Sequence, residues 1–71
     1  MKTTKTVIHD LKEERNDLMN KIERLSMFKS SKHWYTIGTK QRHLLDYQHN
    51  IMCCYRDILT ARIDDLKGDN E

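Results

Sequence analysis

Three polar side chains recur at seven-residue intervals in the second half of the chain: Gln48, Tyr55 and Arg62. At about 100° per residue, this spacing places all three on one line along a helix. Apolar residues border the line: Leu44, Ile51 and Ile58 on one edge, and Leu45, Met52, Leu59 and Ile63 on the other. A helix face that served packing alone would carry Leu or Ile on this line. An amide, a phenol and a guanidinium can instead hydrogen-bond a polar ligand.

Two arginines lie on apolar faces, and each has two interpretations. Arg62 is on the line just described, and Arg15 interrupts an apolar stripe in the first half of the chain. In the structural interpretation, each pairs with a carboxylate within an oligomer, or its guanidinium reaches water at the edge of the face. In the functional interpretation, each forms half of a phosphate clamp through its two-pronged donor group. The pattern by itself favours the structural interpretation.

Tyr55 and Gln48 have the same two interpretations. A tyrosine on an apolar helix face usually packs with its hydroxyl hydrogen-bonded, and a buried amide can set the register of paired helices. Their alignment with Arg62 strengthens the alternative, in which all three contact one ligand.

The middle of the chain is basic and aromatic. No acidic residue lies between Glu23 and Asp46, although the formal net charge of the whole chain is only +2. The basic residues there are Arg24, Lys29, Lys32, Lys40 and Arg42, with His33 and His43 beside them. One interpretation is that this segment attracts anions; the other is that it is only a solvated connector between helices. Trp34 and Tyr35 could stack on nucleobases, or they could close the open end of a helical hairpin.

Hydrophobic spacing predicts the first helix over about residues 6–28. Its apolar stripe follows steps of three and four residues, as amphipathic helices do, with Arg15 at the position between Leu11 and Leu18. The stripe consists of Val7, Ile8, Leu11, Leu18, Ile22 and Leu25. Thr4 or Thr6 is available as the N-cap. The periodicity then stops, and Ser, Thr and Gly accumulate over residues 29–39, which predicts a connector.

The second helix is predicted over about residues 40–67. Thr39 is a candidate N-cap and Gly68 a candidate terminator, with an acidic tail over residues 68–71. Two long helices joined by a short link predict a single all-α domain, an antiparallel two-helix hairpin. The apolar arc of the second helix spans more than about a third of its circumference, which one partner helix cannot cover. Because a chain of 71 residues buries only a small core, we expect a homo-oligomeric bundle, dimeric or tetrameric.

Several classes of function are disfavoured. The histidines show no metal-ligand spacing, and Cys53 and Cys54 are adjacent, which suits neither a zinc site nor a disulfide between them. No phosphate-binding glycine loop or nucleophile motif is present, so we expect a binding protein and not an enzyme, with no cofactor. No apolar run approaches the roughly 18 residues that span a bilayer, so we expect a cytoplasmic protein. The basic residues cluster in a connector and do not follow a recognition helix, which disfavours nucleic acid as a partner.

The chain resembles the small two-helix phage proteins related to a crAss-phage protein, over about residues 11–66. The residues that carry the resemblance are Glu14, Arg15, Leu18, Lys21, Ile22, Leu25, Phe28, Gln41, Leu44, Leu45, Gln48, Met52, Tyr55, Leu59, Arg62 and Ile63. Their most specific part is the spacing of Gln48, Tyr55 and Arg62. The chain is similar in turn to the tetrameric helical anti-CBASS proteins, which are phage sponges that block nucleotide-signalling defence.

The resemblance implies a homotetramer or homodimer that sequesters a cyclic di- or oligonucleotide messenger without hydrolysing it, in the host cytoplasm. The implied roles are phosphate binding by Arg62 and Arg15, electrostatic attraction by Lys32, Lys40 and Arg42, base stacking by Tyr55 with Trp34 or Tyr35, and hydrogen bonding by Gln48. The alternative is a helical protein-interaction module, a phage or bacterial adaptor that docks on a host protein and inhibits it.

Overall fold

The computed structural model describes residues 3–68 as an antiparallel hairpin of two long helices. Helix α1 spans Thr4–Lys29 and helix α2 spans Thr39–Gly68, and a short 3₁₀ helix, Lys32–Thr36, lies between them. The described part of the chain contains no strand. The predicted all-α hairpin is therefore confirmed. The molecule is elongated, with principal extents of 50 × 20 × 15 Å.

The helix ends differ in detail from the predictions. Thr3 caps α1, since its hydroxyl accepts a hydrogen bond from the amide of Thr6 at 3.2 Å, so the predicted cap at Thr4 or Thr6 was wrong. The carbonyl of Gly38 accepts from the amide of Arg42 at 3.1 Å, which makes Gly38 the N-cap of α2 and Thr39 its first residue. Gly68 still belongs to α2. The rest of the predicted acidic tail lies outside the described residues.

Three polar contacts between the helices define their register. Lys29 pairs with Asp46 at 2.8 Å, Ser26 hydrogen-bonds His49 at 3.0 Å, and Arg15 donates to Thr60 at 3.2 Å. From one contact to the next, the residue number falls along α1 by the same amount as it rises along α2. The register of the hairpin is therefore constant from the connector to the last of these contacts.

The apolar core lies between the helices and is small. Its buried residues are Leu11, Leu18 and Ile22 from α1 and Leu59 and Ile63 from α2. Of the two apolar edges of α2, the one that contains Leu59 and Ile63 faces α1. The other edge is exposed: Leu44, Ile51 and Ile58 show 49%, 67% and 56% of their surface to solvent. One partner helix therefore covers only half of the apolar arc.

The connector is folded against the end of the hairpin. Trp34 packs edge-to-face on Phe28, with ring centroids 6.2 Å apart and planes at 83°, and Lys29 Nζ lies 6.0 Å from the Trp34 centroid. Arg42 Nη1 donates to the carbonyls of Ile37 at 2.7 Å and Trp34 at 3.5 Å. These contacts join α1, the 3₁₀ helix and α2 at one end.

Candidate functional site

The line of Gln48, Tyr55 and Arg62 lies on the exposed part of α2. All three residues are exposed, Tyr55 to 42%. Within residues 3–68 none of the three forms a side-chain hydrogen bond or ion pair. The donors of Gln48 and Arg62 and the ring of Tyr55 are therefore available to a ligand.

Gln48, Tyr55 and Arg62 lie on one side of the apolar contact between α1 and α2. The polar contacts between the two helices lie on the other side. Asp46, His49 and Thr60, which contact α1, lie on one side of Met52 and Leu59 by the rotation of about 100° per residue. The same rotation places Gln48, Tyr55 and Arg62 on the opposite side. We call this side the ligand flank.

Helix α1 borders the ligand flank with Glu14, Lys21 and Phe28, which also recur every seven residues. The register of the hairpin places Lys21 within one residue of the level of Tyr55, and Glu14 within one residue of the level of Arg62. The flank thus carries an amide, two aromatic rings, two cations and one carboxylate. It can hold a flat, anionic molecule by stacking and by charged hydrogen bonds.

The structure does not bring Arg15 and Arg62 together within one chain. Arg15 is half-buried on the side opposite the ligand flank, where its Nη1 donates to Thr60 Oγ1, and Thr60 Oγ1 in turn donates to the carbonyl of Arg56 at 3.1 Å. Among the described residues Arg15 has no carboxylate partner. Arg15 therefore links the two helices through a hydroxyl.

The predicted residues of the connector divide into two groups. Trp34 is half-buried against Phe28, and the guanidinium of Arg42 is occupied by backbone carbonyls and by Thr39 Oγ1. Both close the end of the hairpin. The second group is Lys32, Tyr35 and Lys40, which are exposed, Tyr35 to 79%.

Sequence reasoning missed Tyr47. This residue is 68% exposed and lines an open groove of about 280 Å³ with His43, Asp46 and Asn50. Tyr47 falls outside the arc drawn around the seven-residue line, which is why that line did not reveal it. The available signal was the spacing of three and four residues that joins Leu44, Tyr47 and Ile51.

Residues 3–68 contain neither a metal-binding cluster nor a helix suited to a membrane. No group of three or more His, Cys, Asp or Glu side chains is placed to hold a metal ion. No helix in this part of the chain combines the length and the apolar character required to cross a membrane.

Fold and flank together define a small helical-hairpin protein with an exposed, mixed polar and apolar face. Residues 5–65 match the model of the Sequestin family, and since the match spans most of the chain, the protein belongs to this family. The family's name is consistent with the sequestering function that the resemblance implied. Neither the curated proteins nor the solved structures contain a match to this chain.

Proposed function

We propose that this chain is a phage immune-evasion sponge, which binds a cyclic nucleotide messenger of bacterial anti-phage defence and does not cleave it. The observation that carries the proposal is the ligand flank, where Gln48, Tyr55 and Arg62 are aligned and exposed. Membership in the Sequestin family supports sequestration in general. The working form is a homo-oligomer, dimeric or tetrameric, in the host cytoplasm.

Each ligand group has a matching side chain on the flank. Arg62 offers a charged, two-pronged donor to a phosphate. The ring of Tyr55 offers a face to a base, a contact worth about 1–3 kcal/mol. Gln48 both donates and accepts, so it can bind a base edge or a ribose hydroxyl.

Exposed cations outside the flank contribute at longer range. Lys32 and Lys40 are exposed and unpaired among the described residues, so they attract an anion toward the connector end of the hairpin. Tyr35 is a second exposed ring there. Arg15, Trp34 and Arg42 remain in the proposed site only through a second copy or a rearranged connector, because their side chains already have partners.

A protein-interaction module is the second candidate. The exposure of Tyr47 and Ile51, 68% and 67%, favours it, since apolar side chains grouped on one face mark docking surfaces. Such a module would inhibit a host protein and would not respond to nucleotides.

Thermal denaturation with a panel of cyclic di- and trinucleotides separates the two candidates. A sponge gains melting temperature with at least one cyclic nucleotide, because a ligand that binds only the folded state stabilises it. The matched control is the linear dinucleotide with the same bases. Chromatography of the ligand after heat release must return it intact. No stabilisation by any member of the panel, or a cleaved product, contradicts the proposal.

A further inference from the structure

A second apolar seam runs along the outside of α2, away from α1. It consists of Leu44, Tyr47, Ile51, Cys54, Ile58 and Ala61, spaced alternately by three and four residues, and we call it the outer seam. All six residues are exposed. This spacing is the heptad pattern by which helices pair in coiled coils, and none of the residues from 3 to 68 covers it.

The outer seam has a basic residue at one end and an acidic residue at the other, both at the same helical spacing. Lys40 lies four residues before Leu44, and Asp65 lies four residues after Ala61. Both side chains are exposed and form no ion pair within residues 3–68. A partner that covers the seam should therefore present an acid near Lys40 and a base near Asp65.

We propose that this partner is a second copy of the chain, whose outer seam packs antiparallel against the first. In this arrangement the two-fold axis lies between Met52 and Cys53, and the seam maps onto itself. The layers are Leu44 on the partner's Ala61, Tyr47 on the partner's Ile58, and Ile51 on the partner's Cys54. Each layer occurs twice, and two of the three set a larger side chain against a smaller one.

The charges select the antiparallel direction. Lys40 meets the partner's Asp65 at both ends of the seam. Along one side, His43 lies opposite the partner's Asp64. The helix dipoles are also opposed. Parallel pairing instead sets Lys40 against the partner's Lys40 and Asp65 against the partner's Asp65.

The outer seam runs along most of the length of the hairpin. From Lys40 to Asp65 the seam is roughly 38 Å long at about 1.5 Å per residue, most of the 50 Å length of the hairpin. A single hairpin has only five buried apolar residues among those described, so the second seam adds a core of comparable size.

Pairing through the outer seam does not cover the ligand flank, and it gives the dimer two copies of that flank. Gln48, Tyr55 and Arg62 lie beside the outer seam and not within it, at the positions that border a coiled-coil contact. In an antiparallel pair the two flanks share one side of the interface, with Gln48 near the partner's Tyr55. A ligand there would contact both copies. This last step rests on the proposed function, whereas the pairing itself does not.

Light scattering without nucleotide tests the pairing. At micromolar concentration the protein should have a mass of two or four chains of 8.6 kDa, and Ile51→Glu, which places a charge at the centre of the seam, should lower it to that of fewer chains. The matched control is Met27→Glu, which changes a residue of α1 that is 66% exposed, and it should keep the native mass. Circular dichroism confirms that both variants are helical. A monomeric native protein, or an Ile51→Glu variant of unchanged mass, overturns the proposal.

Cross-linking tests the direction. In a Cys53→Ala/Cys54→Ala background, Tyr47→Cys and Ile58→Cys together should give a disulfide-linked dimer with oxidised glutathione, while either change alone should not. Disulfide formation by either single change indicates parallel pairing and contradicts the antiparallel seam. The nucleotide panel is run separately on the native protein, so a failure of nucleotide binding and a failure of pairing are distinguished.

Discussion

Arg62 and Arg15 are the same residue type in similar apolar patterns, but their surroundings in the hairpin differ. Both interrupt apolar patterns, and both were predicted to contact phosphate. In the structure Arg15 bridges the helices through Thr60, while Arg62 is exposed and unpaired among the described residues. An exposed cation without a partner contributes little to folding. We therefore assign the stronger functional expectation to Arg62.

Replacing Arg62 with Met should separate binding from stability. The free energy of unfolding without nucleotide should change by less than about 0.5 kcal/mol, as for surface substitutions without partners. Nucleotide affinity should fall roughly 10- to 100-fold, since a charged hydrogen bond is worth about 1.5–3 kcal/mol. Thermal melting and nucleotide titration by calorimetry measure the two effects.

The control for Arg62→Met is Arg24→Met, which removes an exposed cation of α1 that forms no hydrogen bond or ion pair among the described residues. Arg24→Met should change neither the free energy of unfolding nor the nucleotide affinity appreciably. A destabilised Arg62→Met protein that still binds nucleotide normally would return Arg62 to a structural role.

Leu59 should dominate the stability of the hairpin among single residues. Its side chain is fully buried, at 0% exposure. Leu59→Ala should lower the free energy of unfolding by about 2–5 kcal/mol, through lost burial and the cavity left behind. Met27→Ala, at a position 66% exposed, is the control and should cost less than about 0.5 kcal/mol. If Leu59→Ala and Met27→Ala lowered the free energy of unfolding equally in denaturant titrations, the position of the core would be contradicted.

At the scale of elements, Arg42 organises the connector. Its guanidinium binds the carbonyls of Ile37 and Trp34, so it fixes the 3₁₀ helix relative to the start of α2. A residue predicted to attract ligand thus has a sufficient structural reason to be basic. The planar group is suited to this role because it donates in several directions at once.

Arg42→Met should loosen the connector. The free energy of unfolding should fall by about 1–3 kcal/mol, since two half-buried backbone carbonyls lose a charged donor. Arg42→Lys should restore only part of the lost stability, because one ammonium group cannot donate to both carbonyls as the planar guanidinium does. The emission of Trp34, the only tryptophan, reports on the connector, and Lys32→Met is the exposed control. Unchanged stability with weakened nucleotide binding would restore Arg42 to the site.

At the scale of the whole molecule, the hairpin is long and its core is thin. Two helices of 26 and 30 residues enclose five buried apolar side chains among the described residues. Large apolar and aromatic side chains, among them Tyr47, Ile51 and Ile58, remain exposed to solvent. We therefore expect such a chain to gain stability by association, because a single copy buries only a small core.

The melting temperature should therefore depend on protein concentration. For a protein that unfolds from an oligomer, dilution favours the unfolded chains and lowers the midpoint. Melting curves between about 1 and 100 µM should shift upward with concentration, whereas those of Ile51→Glu should shift less. A cooperative midpoint that is independent of concentration would contradict the oligomer.

The sequence by itself determined the two helices, their approximate ends and the antiparallel hairpin. Hydrophobic spacing is a local property, and apolar stripes at steps of three and four residues specify a helix wherever they occur. Leu11, Leu18, Leu59 and Ile63 could be expected in the core on this basis. The N-cap was misplaced by one residue or more because Thr3, Thr4 and Thr6 are chemically alike.

Only the tertiary structure decided which part of α2 faces α1. The apolar arc of α2 is wider than one helix, so several rotations of α2 bury a similar area. In the observed rotation Lys29, Ser26 and Arg15 contact α2, Leu59 is buried, and Ile51, Tyr55 and Arg62 are exposed. These contacts join residues distant in sequence, and no local pattern encodes their register.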